Sequence, residues 1–410
     1  MAHRPTGGSN LTGIAQYNER LILQLIRRSG SLPKAEIARM TNLSAQTASV
    51  IINRLIQQKL LCKHERRIST GKVGQPAIPI ALNPNGAFSL GVKLGRRSLD
   101  LILINFVGDI LQQITHTYDY PDPSFIFPAI DQGLEQLRQQ LRKHERERLL
   151  GVGIAAPYGI GGWQQEVDIP DTITEQWNTI DIKQRVQKNQ PETAWLVNDA
   201  TAACIASLEF DNPEKFNHYL YIFVGTFIGG GIIMNHTLYN GISNNAGAIG
   251  SMPLPSHYAD AQQTDNPTSG KTPVQLINCA SRYLLNRRFE AIGLEPDQAL
   301  EAFASQPEEH IPDTHVRIVH DWLEQTAPAI AYAITAAVSI IDFEGVIIDG
   351  LLPAPLTHDL TRRVDAEMQR LDLEGLSIPR LHAGSIGNKA RALGGAFLPF
   401  TPTLLRTAVS

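Results

Sequence analysis

Apolar positions in the first sixty residues recur at helical spacing. Leu21, Ile22, Leu25 and Ile26 share one face of a helix predicted over 18–29, with Gly30 as its stop. Pro33 suits a helix start, and the run KAEIARM turns Ile37 and Ala38 inward. Thr41, Asn42 and Leu43 make a tight turn. Ser44 then stands where it can cap a third helix, AQTASVIINRLIQQK. In that helix Ala48, Ile51, Ile52, Leu55 and Ile56 form an apolar stripe, and Gln46, Thr47, Ser49 and Asn53 lie on the other side. After Leu60-Leu61-Cys62, the stretch KHERRISTGKVGQPAIPIAL predicts two short strands around a glycine-rich turn. A helix, a short turn, a second helix with a polar leading half and a strand pair follow the order of a winged helix-turn-helix. We place it at 14–82, behind a flexible arm at 1–13.

From about residue 83 the pattern changes to alternating strands and helices. SLGVKLG and LDLILINF predict adjacent strands, 127–148 a helix, and LLGVGIAAP a buried strand. TAWLVND is a strand opening onto the helix ATAACIASLEF, and YLYIFVGTFIGGGIIMN two strands around a glycine-rich turn. Helical periodicity returns over 273–286 and 316–342. EGVIIDGLL reads as a strand, and GSIGNKARALGGAFLPF as a glycine turn and a closing helix. The class is α/β.

Composition sharpens this picture. With 410 residues, 43% hydrophobic and 19% charged, the chain suits two or three globular domains. No stretch approaches the ~20 apolar residues of a membrane span, and MAHRPTGGSNLTG lacks the apolar centre of a signal peptide, so no membrane partner is expected. Cys62, Cys204 and Cys279 form neither a CxxC pair nor an even disulfide framework. A reducing cytoplasm is the expectation, with each thiol a small buried apolar group.

The net charge of -4 conceals a split. Residues 1–80 hold 12 Lys or Arg and 3 Asp or Glu, a net of +9, against 24 basic and 37 acidic residues in the remainder, a net of -13. A basic module tied to an acidic globule points to double-stranded DNA as partner of the front end. Gln46 and Ser49 are the base-reading candidates, with Thr47 at the edge and Ser44 and Asn53 beside them. Amides bond adenine edges bidentately, and hydroxyls suit bases or phosphates. Arg39, Arg54 and Lys72, with Lys59, Lys63, Arg66 and Arg67, would supply phosphate contacts. A three-helix packing module with a solvated polar face would share the helices, but not the cap, wing and charge together.

GSLPKAEIARMTNLSAQTASVIINRLIQQKLL and STGKVGQPAIPIALNPNGAFSLGVKLG resemble the front end of ROK-family repressors (repressors, open reading frames and sugar kinases). GVGIAAPYGI, VNDATAACIASLEF, GTFIGGGII, NNAGAIGSMPL, VIIDGLL and GNKARALGGAF extend the resemblance, in order, over nearly the whole chain. It implies a winged helix-turn-helix followed by a two-lobed ribonuclease H/actin-like, sugar-kinase-like body. The first lobe would span 83–205 plus 385–410, and the second, at 206–384, would carry the effector and dimerisation functions. A homodimer or higher homo-oligomer is implied too. Gly74-Gln75-Pro76 stands where the family usually has Gly-Arg-Pro, so Gln75 replaces a guanidinium in the wing.

The resemblance also shows what is missing. Kinase members begin their sheet with Asp-x-Gly-Gly-Thr, and here Lys93-Leu94-Gly95-Arg96-Arg97 takes that place. Lys93 puts a cation where a metal would be organised, and Arg96 blocks close backbone approach to phosphate. In Gly225-Thr226-Phe227-Ile228-Gly229-Gly230-Gly231, Phe227 replaces a glycine of the second phosphate loop. Asp199 matches the kinase base, but a lone Asp before a helix is also a cap. No catalytic residue and no cofactor are therefore assigned. In the sugar pocket Asn198 and Asp199 survive, whereas Ala248 and Ser251 replace the Glu and His of Gly-Glu-x-Gly-His, and Ile277 falls near the last Glu. The family's three zinc cysteines have no counterpart in PLPSHYADAQQTDNPTSGKTPVQ, so no metal is expected. Two readings of the body stay open. A sugar-like effector, neutral or anionic, bonds Asn198, Asp199 and Ser251 beside Gly229 and Gly230. Alternatively, the body serves only as a scaffold for dimerisation or protein docking.

Overall fold

The first helix begins earlier than its apolar stripe. In the computed structural model, which describes residues 11–64, 78–160, 169–258 and 274–405, α1 runs Leu11–Ser29, so the expected arm already turns helical at Leu11. After β1 (Ser31–Leu32) come α2 (Lys34–Thr41) and α3 (Ala45–Gln57). Asn42 closes α2 with a left-handed backbone, φ 54°, a conformation Asn tolerates better than most residues. Ile22, Ile26, Ile37, Ala48, Ile52 and Leu55 meet in the core of this module. The strands of the wing are β2 (Leu61–Lys63) and β3 (Ile80–Leu82), antiparallel with Leu61 opposite Leu82. β1 adds a third strand on the other side of β3. Residues 65–77, the tip of the expected wing, lie outside the described residues, as do Lys72 and Gln75.

The chain divides into two compact units, Met1–Val197 with Gly395–Ser410, and Asn198–Gly394. The helix Asp199–Phe210, which the expected lobe boundary at 205 divides, lies whole in the second unit, where it covers β9 (Tyr219–Val224) and β10 (Ile228–Met234). The winged module falls in the first unit. Arg27 on α1 lies over the rings of Phe106, 5.1 Å away, and Phe397, 4.9 Å away, and donates to the Phe106 carbonyl.

The first unit holds β4 (Phe88–Leu94), β5 (Ser98–Asn105), β6 (Ile110–Thr117), β7 (Leu149–Ala156) and β8 (Ala194–Asn198), in the order β6-β5-β4-β7-β8. β4, β5 and β6 form an antiparallel meander, and β7 joins β4 in parallel. The second unit repeats this plan. β9, β10 and β11 (Thr237–Tyr239) form the meander, while β14 (Gly345–Gly350) and β15 (Arg380–Ala383) continue in parallel, giving β11-β10-β9-β14-β15. A small pair, β12 (Pro253–Leu254) and β13 (Val274–Gln275), stands apart. The helix expected at 127–148 is α4 (Pro123–Gln139), followed by a separate turn of helix, Lys143–Arg146. Asp122 caps its start through the Ser124 N–H at 2.8 Å, and Pro123 occupies the first helical position, which lacks an N–H partner in any case.

Candidate nucleic-acid interface and effector site

Ser44 caps α3 as its sequence position predicts. Its Oγ accepts from the Thr47 N–H at 3.1 Å and lies 2.8 Å from the Thr47 hydroxyl. Both hydroxyls are thus committed to the cap, which fixes the angle at which α3 leaves the turn. Ala48, Ile51, Ile52 and Leu55 are buried, whereas Gln46, Asn53 and Arg54 are exposed and Ser49 is half-buried. Gln46 therefore has the clearer outward path of the two base-reading candidates. The Asn53 Oδ1 accepts from Lys34 Nζ at 2.7 Å, which ties α3 to α2. Arg54 pairs with Glu19 on α1, and Arg39 with Glu36 one turn earlier on α2. These two arginines already have carboxylate partners, so any phosphate they bind must compete.

Three cations of the first unit are held by its own fold. Lys93 is buried opposite Asp100 across the β4–β5 ladder, with Nζ 3.1 Å from the carboxylate and 2.5 Å from Ser98 Oγ. Arg96 donates to the Gly159 carbonyl at 3.0 Å, and Arg97 to that of Asp119 at 2.7 Å.

In the second unit, Asn198 caps the helix Asp199–Phe210 by accepting from the Ala200 N–H at 3.0 Å. Asp199 Oδ1 accepts from the same N–H at 2.9 Å, and Oδ2 lies 3.4 Å from Arg391 Nη1. The Arg391 guanidinium sits 5.2 Å above the Phe223 ring. Asp199 is thus both a cap and half of an ion pair, and the side chain that neutralises it is one that sequence reasoning passed over within GNKARALGGAF. The Gly229 backbone passes close to Ala200, with a Cβ there only 2.9 Å from the Ala200 Cβ; at Gly230 a Cβ would meet the Tyr221 carbonyl at 2.3 Å. Close packing by the protein itself therefore requires glycine at both positions. Ser251 lies exposed at the end of a single 3-10 turn, Ile249–Ser251.

The second phosphate loop is stapled to the segment behind it. Ser281 Oγ accepts from the Ile228 N–H at 3.0 Å, and the Gly225 and Thr226 carbonyls accept from the N–H groups of Arg282 and Tyr283. The Phe227 ring packs 5.2 Å from that of Tyr283. The Ile228 N–H is thus committed to Ser281, and the Phe227 ring fills the space beside Tyr283. Nearby, Asp349 at the end of β14 is a buried carboxylate missed in the sequence. It accepts from Tyr221 Oη at 3.0 Å and from the N–H groups of Gly350 and Gly387 at 2.8 and 3.1 Å. Burial pushes its carboxyl above the ordinary range despite these three donors. The Asp-Gly pair in VIIDGLL was the available signal.

Among the described residues no helix is long and apolar enough to cross a membrane, and no three His, Cys, Asp or Glu side chains gather in a metal-holding group. Most of the loop where the resemblance places the zinc cysteines, residues 259–273, lies outside the described residues. Cys204 and Cys279 are buried, while Cys62, at the start of the wing, is only half-buried.

A winged module joined to two sheets of identical strand order defines a helix-turn-helix protein with a ribonuclease H/actin-like body. The sequence profile of the ROK family matches residues 89–400, and that of the MarR family residues 10–68. The chain belongs to the ROK family. It is 25% identical over 243 residues to the xylose repressor of Bacillus spizizenii, an alignment covering 59% of this chain and 62% of that protein. The chain thus spans about three fifths of the length of this curated relative. Its fold is similar to that of a ROK family transcriptional regulator described as a homologue of the E. coli MLC protein, with a TM-score of 0.63, 17% identity and coverage of 94% and 96% of the two chains. A ROK family glucokinase from Streptomyces griseus, solved with glucose and AMPPNP, has a TM-score of 0.57 and 19% identity, covering 76% of this chain and 99% of its own.

Proposed function

We propose that this chain is a sequence-specific DNA-binding transcriptional regulator of the cytoplasm, a repressor of sugar uptake or catabolism genes. A sugar-like effector bound in its kinase-like body would control it. The observation that carries this reading is α3 itself, a capped helix with a buried apolar side and an exposed, amide-bearing side, joined to a wing. The xylose repressor relative supports the sugar-responsive part. The body is proposed as non-catalytic. Its support is the Lys93–Asp100 pair in place of a metal-organising acid, the Asp199–Arg391 pair in place of a free base, and the stapled loop at 225–228. A sugar-dependent turnover of ATP would contradict that part.

Two copies of the chain, acting as a homodimer, would present two α3 helices to half-sites about 34–36 Å apart or a multiple of that. The effector would act by binding one arrangement of the body better than another, so changing DNA affinity by that difference. Arg391 favours an anionic effector among the sugar-like ones, because it cancels the one acidic charge that survives at Asn198-Asp199. The scaffold reading, a body without effector, draws on the Gly229 and Gly230 contacts, which account for those glycines without a ligand.

Binding-site selection from a random duplex library with the full-length chain tests the DNA reading. A defined, two-fold-repeated sequence is expected to enrich. Gln46→Ala should then cost about 1–3 kcal/mol at one base pair per half-site and relax specificity there. An unenriched library would overturn the reading, and an equal loss on every sequence would make Gln46 a phosphate contact.

A further inference from the structure

The outward side of α3 is not uniformly polar. At 100° per residue, the buried Ala48, Ile51, Ile52 and Leu55 define an inward direction. The opposite, outward direction falls among Gln46, Val50, Asn53 and Gln57. Val50 lies within about 30° of the outward axis, whereas Ser49 lies about 70° away. The exposures agree, since Val50 is 62% exposed and Ser49 is half-buried. A β-branched side chain in this place adds nothing to helix propensity. Its immediate companions on the helix surface are Gln46, four residues before, and Asn53, three residues after, both exposed amides.

We infer that Val50 is a specificity-determining residue that packs on the C5-methyl group of a thymine in the operator. The inference rests on DNA binding through α3. In the major groove thymine alone presents a methyl group, and apolar side chains read it by contact. A valine offers two methyl groups on a stiff stem, so its position is fixed once the helix is seated. Flanking amides at Gln46 and Asn53 would bond the edges of neighbouring bases, making one stretch of α3 an alternating polar and apolar reader. A valine here also disfavours cytosine, whose exposed amino group would be left without a partner against an apolar surface.

Replacing thymines singly with deoxyuracil in the selected operator removes the methyl group and leaves the pairing intact. The wild-type chain is expected to lose affinity roughly threefold to tenfold at one thymine per half-site. Val50→Ala, a good helix former at a surface position, should bind the thymine operator more weakly by a similar factor. It should no longer distinguish uracil from thymine at that position, with the penalties at other thymines unchanged. Val50→Thr, which keeps the branched shape and one methyl, should retain most of the discrimination. Absence of any uracil penalty in the wild type, or an unaltered set of penalties in Val50→Ala, overturns the inference while leaving DNA binding intact. Failure of the library to enrich would instead remove the DNA reading and this one with it.

Discussion

Single residues carry most of the case for a non-catalytic body. Lys93, Phe227 and Ala248 were legible as substitutions because a motif shows what is missing from it. What holds the replacements in place was not legible, since Asp100 faces Lys93 only once β4 and β5 pair, and Arg391 lies 192 positions from Asp199. Asp349 is a sharper case. Its buried carboxyl titrates above the ordinary value of 3.8, with burial as the largest cause. The folded state therefore keeps this proton at a pH where the unfolded chain has released it. Stability from this group is fully present below the ordinary carboxylate range and is lost as pH rises through the raised value. Asp349→Asn removes the titration while keeping an acceptor for the Gly350 and Gly387 N–H groups. Urea unfolding of both chains between about pH 4 and 7 should show the variant gaining on the wild type as pH rises. A constant difference across that range would contradict the assignment.

At the scale of elements, long strands with continuous apolar runs were readable, as β4, β5, β7 and β9 show. β6 was missed because ILQQITHT is a partly exposed edge strand whose polar residues mask its period. Helix ends depended on caps, so α4 began at Pro123 rather than 127 once Asp122 supplied the bond. The most consequential element is α1, which read as part of a DNA-binding module but also anchors that module. Arg27, counted among the basic residues of the front end, is sandwiched between Phe106 and Phe397. Arg27→Ala should lower stability by about 1–3 kcal/mol through lost cation–π and packing contacts, seen as a lower urea midpoint. It should also make α1 easier to cleave by protease. A change within ~0.5 kcal/mol, typical of a neutral surface site, would show that the two rings do not hold the module.

At the scale of the whole molecule, the charge split between a +9 front end and a -13 remainder located the module, and the structure refines its meaning. Arg27 is engaged with aromatic rings, and Arg39 and Arg54 with Glu36 and Glu19, two carboxylates that the net of +9 already includes. The repeated strand order of the two units was invisible in the sequence. Each repeat is built from different side chains on the same pleated plan, and only the hydrogen-bond ladder exposes it. The proposed effector site was legible as Asn198 and Asp199 but not as an ion-paired cap, because pairing across 192 positions leaves no local pattern. Control of DNA binding by a sugar-like ligand is tested most directly by titrating neutral and phosphorylated sugars into the full-length chain bound to its selected duplex, with anisotropy as the readout. At least one sugar is expected to change the apparent Kd about 5- to 150-fold. A DNA affinity that no sugar moves would contradict effector control and leave the body as a scaffold.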